Sequence, residues 1–304
     1  MTPERTTLRH NAFIYDAEDE YVSRSVAFLR EGLAAGEGAI VANTRDGIAA
    51  MREALGSDAA FVTFVDDSAA YTRPARTLAS FHKVYAEQLQ KTASLRAVAE
   101  VQCGPNPDEW DLWIGYEAVF NRSFAHLPVW VLCSYDLNGL PEPVVQGVWQ
   151  THPEVVGDDG WATSDRYEDP DRLLRAITPE PMQLPDLRQV AFGRDVEEFR
   201  EQLARELVAE HVPESKVLDM LLAATEIAAN ALEHGSGVEQ VRMGRVEGRF
   251  VCEIVDRGGG FDDPGAGYLP PRKGLGTGLW VARQLAWRIE FFKSPQGFTA
   301  RIWL

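Results

Sequence analysis

One break in composition governs what this chain can fold into. From about Gly157 to Pro185 the sequence runs GDDGWATSDRYEDPDRLLRAITPEPMQLP, with four prolines, many acids and a single short apolar cluster around Leu173 and Leu174. A stretch of this kind reads as a linker, here 157–186. The text on either side follows different rules. Before the break, short apolar runs (Ala12 to Tyr15, Ala39 to Ala42, Phe61 to Val65, Leu95 to Val101, Val129 to Tyr135) alternate with longer segments of helical spacing (Asp19 to Ala35, Arg45 to Leu55, Arg73 to Gln90, Glu109 to Phe124). That alternation predicts a parallel sheet with crossover helices, a layered α/β domain. After the break the order is a strand, two helices, a strand pair, a glycine-rich loop, a helix and two strands joined at Ser294 to Gly297. Helices on one face of a mainly antiparallel sheet accommodate that order.

Composition narrows the class. The chain has 304 residues, 45% hydrophobic and 25% charged, enough for two ordinary cores. Its 30 Lys and Arg stand against 46 Asp and Glu, a formal charge of -16, which argues against a basic stripe for nucleic-acid phosphates. No apolar run approaches the roughly 18 residues of a membrane span, and Met1 to Asn11 is polar, without a signal-peptide core. The expectation is a cytoplasmic protein that contacts neither nucleic acid nor membrane directly. Cys103, Cys133 and Cys252 show no CxxC or other metal spacing, which on sequence grounds sets aside a zinc site or a disulfide framework.

The second half carries the chemistry. In VLDMLLAATEIAANALEHG the helix from Val217 to Leu232 is apolar on nearly every side, and Glu226 and Asn230 lie four apart on one face of it. They form either a solvated edge or a carboxylate and an amide aimed at a cation or phosphate. In FVCEIVDRGGGF a strand ends at Asp256 and opens into Gly258, Gly259 and Gly260. An acid followed by residues without a Cβ lets a flat ligand approach the backbone while the carboxylate accepts a hydrogen bond from it, although a plain turn has the same composition. In RKGLGTGLWVARQLA, Gly274, Gly276 and Gly278 lead into an amphipathic helix, where freed amides at a helix N-terminus form an anion site.

Together, in this order within about 55 residues, ExxxN on a helix, DxGxG after a strand and GxGxGL opening a helix resemble the Bergerat-type (GHKL, histidine kinase-like) ATPase domain, covering 187–304. The resemblance implies an α/β sandwich that binds ATP and Mg²⁺. It implies that Asp256 reads the adenine amino group with Gly258 and Gly260 under the base, and that Asn230 is the magnesium ligand. Gly274, Gly276 and Gly278, with Lys273, Thr277 and Leu279, match the lid over the phosphates, and Thr299, in GFTARIWL, matches a hydroxyl residue near the adenine. None of the histidines has the setting of a phosphoacceptor, and a gyrase-type relative would continue beyond Leu304 into a transducer domain. The remaining branch is the anti-sigma factor serine kinase, whose helix reads like TEIAANALEHG, with His234 in the expected place. In that group the position of Glu226 takes the proton from a substrate serine. Arg272 and Lys273 are either solvated loop charges or positive charge near the γ-phosphate, and the stretch Phe261 to Lys273 is shorter than the lid of many relatives.

In the first half, HNAFIYDAEDEY, FLREGLAAGEGAIVANT, LCSYD and THPEVV resemble the MEDS sensory domain, a degenerate relative of RecA-like folds, over 8–156. GLAAGEG lacks the lysine and hydroxyl of a phosphate loop, so nucleotide is not expected there. His10, Tyr15, Cys133, Tyr135 and His152 are either satisfied core residues or the lining of a pocket for an unknown small ligand. Trp110, Trp113 and Tyr116, three apart on a helix, suit a core or a homodimer surface. The reading that follows is an ATP-dependent protein serine/threonine kinase with a sensory input domain, whose partners are a sigma factor and an anti-sigma antagonist of the STAS class. The alternative is a catalytically silent ATP-binding module that sequesters a partner, and a third is a scaffold whose glycine motifs are relics.

Overall fold

Runs such as Gly38–Asn43 and Val129–Asp136 are apolar at nearly every position, as strands buried on both faces must be. In the structure, a computed structural model that describes residues 7–66, 73–101, 106–157, 160–178, 182–184, 186–271, 276–294 and 297–304, these runs become the centre of a parallel sheet. The chain divides into two units, Met1–Ile177 and Thr178–Leu304.

The first unit contains strands β1 (Arg9–Tyr15), β2 (Gly38–Asn43), β3 (Val62–Asp66), β4 (Leu95–Glu100), β5 (Val129–Asp136), β6 (Glu154–Gly157) and β7 (Gly160–Thr163). They lie in the order β3-β2-β4-β5-β1-β6-β7, parallel throughout except for the closing β6 and β7 pair. Helices α1 (Glu18–Ala34), α2 (Arg45–Leu55), α3 (Pro74–Leu89), α4 (Pro107–Phe124), α5 (Glu142–Thr151) and α6 (Pro170–Ile177) connect and extend it. Phe28, Leu29, Met51 and Leu55 of α1 and α2 pack on Phe13, Val41, Val98 and Leu132 on one face of the sheet. On the other face Phe120 of α4 stacks on His10 of β1, ring centroids 4.7 Å apart. Trp113 and Tyr116 are buried, so their spacing serves the interior of this unit.

The expected linker needs correcting over its first two thirds. Residues 160–163 pair with β6 as an antiparallel edge strand, and Pro170–Ile177 is a helix that buries Leu173 and Leu174. Leu174 and Ile177 approach Gly115 of α4, and Arg122 of α4 reaches Asp171 at 3.1 Å. Two buried leucines one turn apart from solvated charges suffice to dock a short helix, so the acidic stretch finishes the first unit. Further along, Leu184 and Leu187 pack with Val251 and Trp303 of the second unit.

The second unit comprises β8 (Arg188–Val190), α7 (Val196–Ala209), α8 (Glu214–Glu233), β9 (Val238–Val246), β10 (Arg249–Asp256), α9 (Thr277–Leu285), β11 (Arg288–Ser294) and β12 (Gly297–Trp303). The sheet order is β11-β12-β10-β9-β8 and every pair is antiparallel. Asp195 caps α7 by accepting from the backbone N–H of Glu197 and Glu198. Phe199, Leu203, Met220, Ala224, Ile227 and Ala282 from the helices meet Val241, Phe250, Cys252, Ile254, Ala300 and Ile302 from one face of the sheet. Alternation turns Glu253 and Arg301 to the other face, where they are 1% and 3% exposed. Arg301 donates through Nε to Glu253 Oε2 at 2.8 Å and through Nη2 to the Met182 carbonyl at 2.8 Å, and Arg242 holds the second Glu253 oxygen.

Glu253→Ala would take from buried Arg301 its closer carboxylate, leaving Glu290 at 3.3 Å, and breaking a buried pair from one side costs up to about 3–5 kcal/mol. Calorimetry of the full chain should therefore show the transition of the second unit moving down while that of the first stays in place.

Candidate functional site

Helix α8 buries Met220, Ala223, Ala224, Ile227, Ala228 and Ala231 against the core. That stripe fixes its rotation and leaves Glu226 and Asn230, one turn apart, half-buried at the edge of the interface. Among the described residues neither side chain has a hydrogen-bond or ion-pair partner. The Glu226 carboxylate lies against the first turn of α9: a Cβ placed on Gly278 would come 2.4 Å from Glu226 Oε2. Glycine at 278 is thus what makes room for the acid at a helix N-terminus, where a negative group is favoured and where an anion can be bound.

At the far end of α8 the turn EHGSG meets the end of β10. The backbone N–H groups of Gly235 and Gly237 both donate to the Ala231 carbonyl at 3.0 Å, which closes the helix. A Cβ on Gly235 would sit 2.6 Å from Asp256 Cγ, and one on Gly258 would sit 2.8 Å from the Gly235 Cα. The register of β9 against β10 slips between Val255 and Asp256, a bulge of the kind that re-aims a side chain. Asp256 Oδ1 accepts from the Gly258 N–H at 2.6 Å, which leaves Oδ2 without a partner among the described residues. Burial raises the Asp256 carboxyl above the ordinary range, and the Gly258 N–H opposes that rise. The result is a carboxylate packed against glycine backbone, with one oxygen left open.

From the acid at Asp256 to the acid at Glu226 the site follows α8. The eight steps from Glu226 to His234 span about 12 Å at 1.5 Å each. One end offers an acceptor for an amino group, the other a helix N-terminus for an anion, and Asn230 lies between them with a side-chain oxygen of the hard type that suits Mg²⁺. Gly235, Gly258 and Gly278 let Asp256, the turn after α8 and Glu226 close up, and the groups left open, Asp256 Oδ2, Asn230 and Glu226, are acceptors of the kinds that fit ATP and Mg²⁺.

The remaining expected residues divide. Gly276 caps α9 with φ of 77°, Thr277 is exposed at its first position, and Leu279 packs beneath it against the core and against Gly267. Gly260, φ of 63°, has its Cβ position filled by the Phe298 ring, 2.0 Å away. His234 follows the last turn of α8 with its ring in solvent beside Glu233. Arg272, Lys273 and Gly274 lie outside the described residues. Thr299 is a correction: it pairs with Val255 and Phe292, on the sheet face that carries Arg301, whereas the helices pack on the face of Ala300 and Ile302. Phe298, one residue earlier, is the one opposite Asp256.

Three residues join the site that sequence reasoning missed. Gly235 makes the close approach to Asp256. Phe298 groups with Phe261 and Phe291, centroids 4.9 and 5.9 Å away, beside Gly260. Arg283 of α9, buried and with its basicity lowered by that burial, donates to the Ala266 carbonyl at 2.7 Å and stacks over Tyr268 at 4.1 Å. It ties the loop after Gly260 to α9, whose first turn holds Gly278. The spacing of glycines in EHGSG was the one available signal for Gly235; for Phe298 and Arg283 there was none.

No curated protein matches the chain. Among solved structures, the chain is similar to the cytoplasmic domain of EssC at 13% identity, with 59% of this chain and 35% of that one covered and a TM-score of 0.28. The chain thus spans about a third of that structure's length, and the likeness is too slight to carry an argument. No helix among the described residues is long and apolar enough to cross a membrane. Residues 9–153 match the model of the MEDS domain (methanogen/methylotroph, DcmR sensory domain) and residues 191–303 that of the histidine kinase-like ATPase domain, so the chain joins a MEDS sensory domain to an ATPase domain of the histidine kinase-like family.

Proposed function

We propose that the second domain is an ATP-dependent protein serine/threonine kinase of the anti-sigma type, which phosphorylates an anti-sigma antagonist of the STAS class and sequesters a sigma factor under control of the MEDS domain. The observation that carries this reading is the position of Glu226. Its carboxylate stands at the phosphate end of the cradle, against Gly278, and has no partner of its own among the described residues. A structural acid in such a place would be expected to hold a cation or an N–H. A base for a serine hydroxyl needs its oxygen open and within hydrogen-bond reach of the incoming oxygen.

The residues then have separate tasks. Asp256 Oδ2 accepts from the adenine amino group, Oδ1 being held by Gly258. Gly259, with open space where a Cβ would stand, would let the ring lie against backbone. Asn230 supplies one oxygen to Mg²⁺, and that ion, when bound, offsets charge on the phosphate oxygens. Glu226 accepts the serine proton as the serine oxygen bonds to the γ-phosphorus and ADP leaves with the electrons of the broken P–O bond. The silent-binder reading is favoured by one feature, the loop tied down by Arg283 at Ala266, which suits a site that holds nucleotide without cycling.

Asp256→Asn keeps the shape and puts donors opposite the adenine amino group. The loss of a hydrogen bond to charge should cost about 1.5–3 kcal/mol, roughly 10-fold or more in ATP affinity by titration. Unchanged affinity would remove Asp256 from the site. Because burial raises this carboxyl, wild-type affinity should begin to fall, as the pH is lowered, at a higher pH than an ordinary aspartate would give.

Asn230→Ala should weaken Mg²⁺-ATP far more than metal-free nucleotide in calorimetry with and without EDTA. Equal losses would make the residue structural.

Glu226→Gln keeps volume and removes the proton acceptor, so phosphotransfer to an antagonist protein should fall about 100-fold or more while ATP still binds. The kinase reading is overturned if wild type with labelled ATP and Mg²⁺ labels no antagonist while binding both nucleotide and sigma factor, and the same substitution is silent in partner capture.

A further inference from the structure

Far from the nucleotide cradle, the first unit gathers four side chains of metal-ligating type at one buried point. His10 comes from β1, Glu117 from α4, Cys133 from β5, and His152 from the residue after α5. All four are 4% exposed or less, and their candidate ligand atoms lie within 4.8 Å of one another. His10 Nε2 is 3.2 Å from Cys133 Sγ and 3.3 Å from Glu117 Oε2, and His152 Nε2 is 3.9 Å from that same oxygen. With zinc bonds of about 2.3 Å to sulfur and 2.0–2.2 Å to nitrogen and oxygen, the edges of a tetrahedron are about 3.3–3.6 Å. The observed separations bracket that range.

The surroundings aim the atoms inward. Asn121 donates through Nδ2 to the carbonyls of Thr151, at 2.6 Å, and Glu117, at 3.2 Å, so its Oδ1 must be the atom facing His10 Nδ1 at 3.1 Å. That oxygen only accepts, so Nδ1 carries the proton and Nε2 presents a lone pair to the cluster. The Val148 carbonyl fixes His152 the same way, 2.9 Å from its Nδ1. Tyr135 donates its hydroxyl to Glu117 Oε1 at 3.0 Å, turning Oε2 inward. Holding a histidine by its other nitrogen and a carboxylate by its other oxygen is the usual outer support of metal ligands.

Two of the inward atoms, Glu117 Oε2 and His152 Nε2, are enclosed and make no hydrogen bond. Acceptors facing acceptors in a dry interior call for something positive between them. A divalent ion with one thiolate, one carboxylate and two neutral imidazoles has a net charge of zero, which a buried site can tolerate. A surface cleft of about 420 Å³, lined by Leu8, Asn121, Pro153 and Tyr167, reaches His10 and offers a way in.

We propose that His10, Glu117, Cys133 and His152 bind one borderline divalent transition-metal ion, of the zinc type, in a four-coordinate site. Nitrogen, sulfur and oxygen donors in a compact tetrahedral set select zinc, or cobalt as its substitute, over calcium and magnesium. The four positions are widely separated in sequence, which is why cysteine spacing alone argued against a metal.

The test uses untagged full-length protein, stripped with a chelator and reloaded with Zn²⁺ or Co²⁺ without nucleotide. One metal per chain is expected, with the visible bands of tetrahedral cobalt and a near-ultraviolet thiolate-to-cobalt band that zinc then abolishes. Cys133→Ser should remove the thiolate band and weaken zinc about 100-fold or more, since even changes to supporting residues cost about 10–100-fold. Cys252→Ser, buried in the other unit, should leave the spectrum unchanged. Should Cys133→Ser fail to fold, Tyr135→Phe keeps all four ligands and should weaken zinc about 10-fold. The proposal is overturned if folded wild type takes up no stoichiometric zinc or cobalt, if its cobalt spectrum lacks the thiolate band, or if neither variant alters binding.

Discussion

The second unit depends on how closely α8 and α9 approach each other. Ala223, Ala224, Ala228 and Ala231 of α8 and Ala282 of α9 are buried, and Gly278 leaves the space into which Glu226 reaches. Close packing of this kind leaves no slack, so side-chain positions along the seam are set by shape. Glu226 occupies the space that a Cβ at 278 would otherwise take. The acid therefore stands at the mouth of a helix N-terminus because of packing, before any ligand is considered, and the chemistry assigned to it inherits that rigidity.

The same sheet keeps two polar systems apart. On the helix face Asp256 ends β10 at a bulge and looks onto glycine backbone. On the opposite face Glu253, three residues earlier, is closed in by Arg242 and Arg301. Period-two alternation separates an acid left open to a ligand from one fully neutralised by its partners. Glu253 is the more buried of the two and is saturated; Asp256 is half-buried and has an oxygen to spare. Pairing, more than depth, distinguishes the structural acid from the candidate binding one.

Much of this was legible in the sequence because it is local. Glu226 and Asn230 are separated by one turn, DRGGG follows its strand directly, and GTG opens its helix, so spacing alone states the geometry. Thr299 was misplaced because its role depends on register: one step along β12 exchanges it for Phe298 and moves the side chain to the other face. The docked helix at Pro170–Ile177 was hidden by its charged neighbours, although Leu173 and Leu174 were visible as an apolar pair. His10, Cys133 and His152 stood out as core or pocket residues, but Glu117 and the meeting of all four could not be read, since four elements bring them together and tertiary packing alone supplies the proximity. In the first unit the apolar runs announced the parallel sheet, while the edge strands β6 and β7, four residues each, were too short to show a period.

The tether from Arg283 to the Ala266 carbonyl has a consequence for how the two ends of the cradle communicate. The loop after Gly260 begins beside the Phe261, Phe291 and Phe298 rings and is fastened further on to α9, with Gly267 lying against Leu279. The strap thus meets α9 at both ends, through Gly267 at Leu279 near its first turn and through Ala266 at Arg283 in its last.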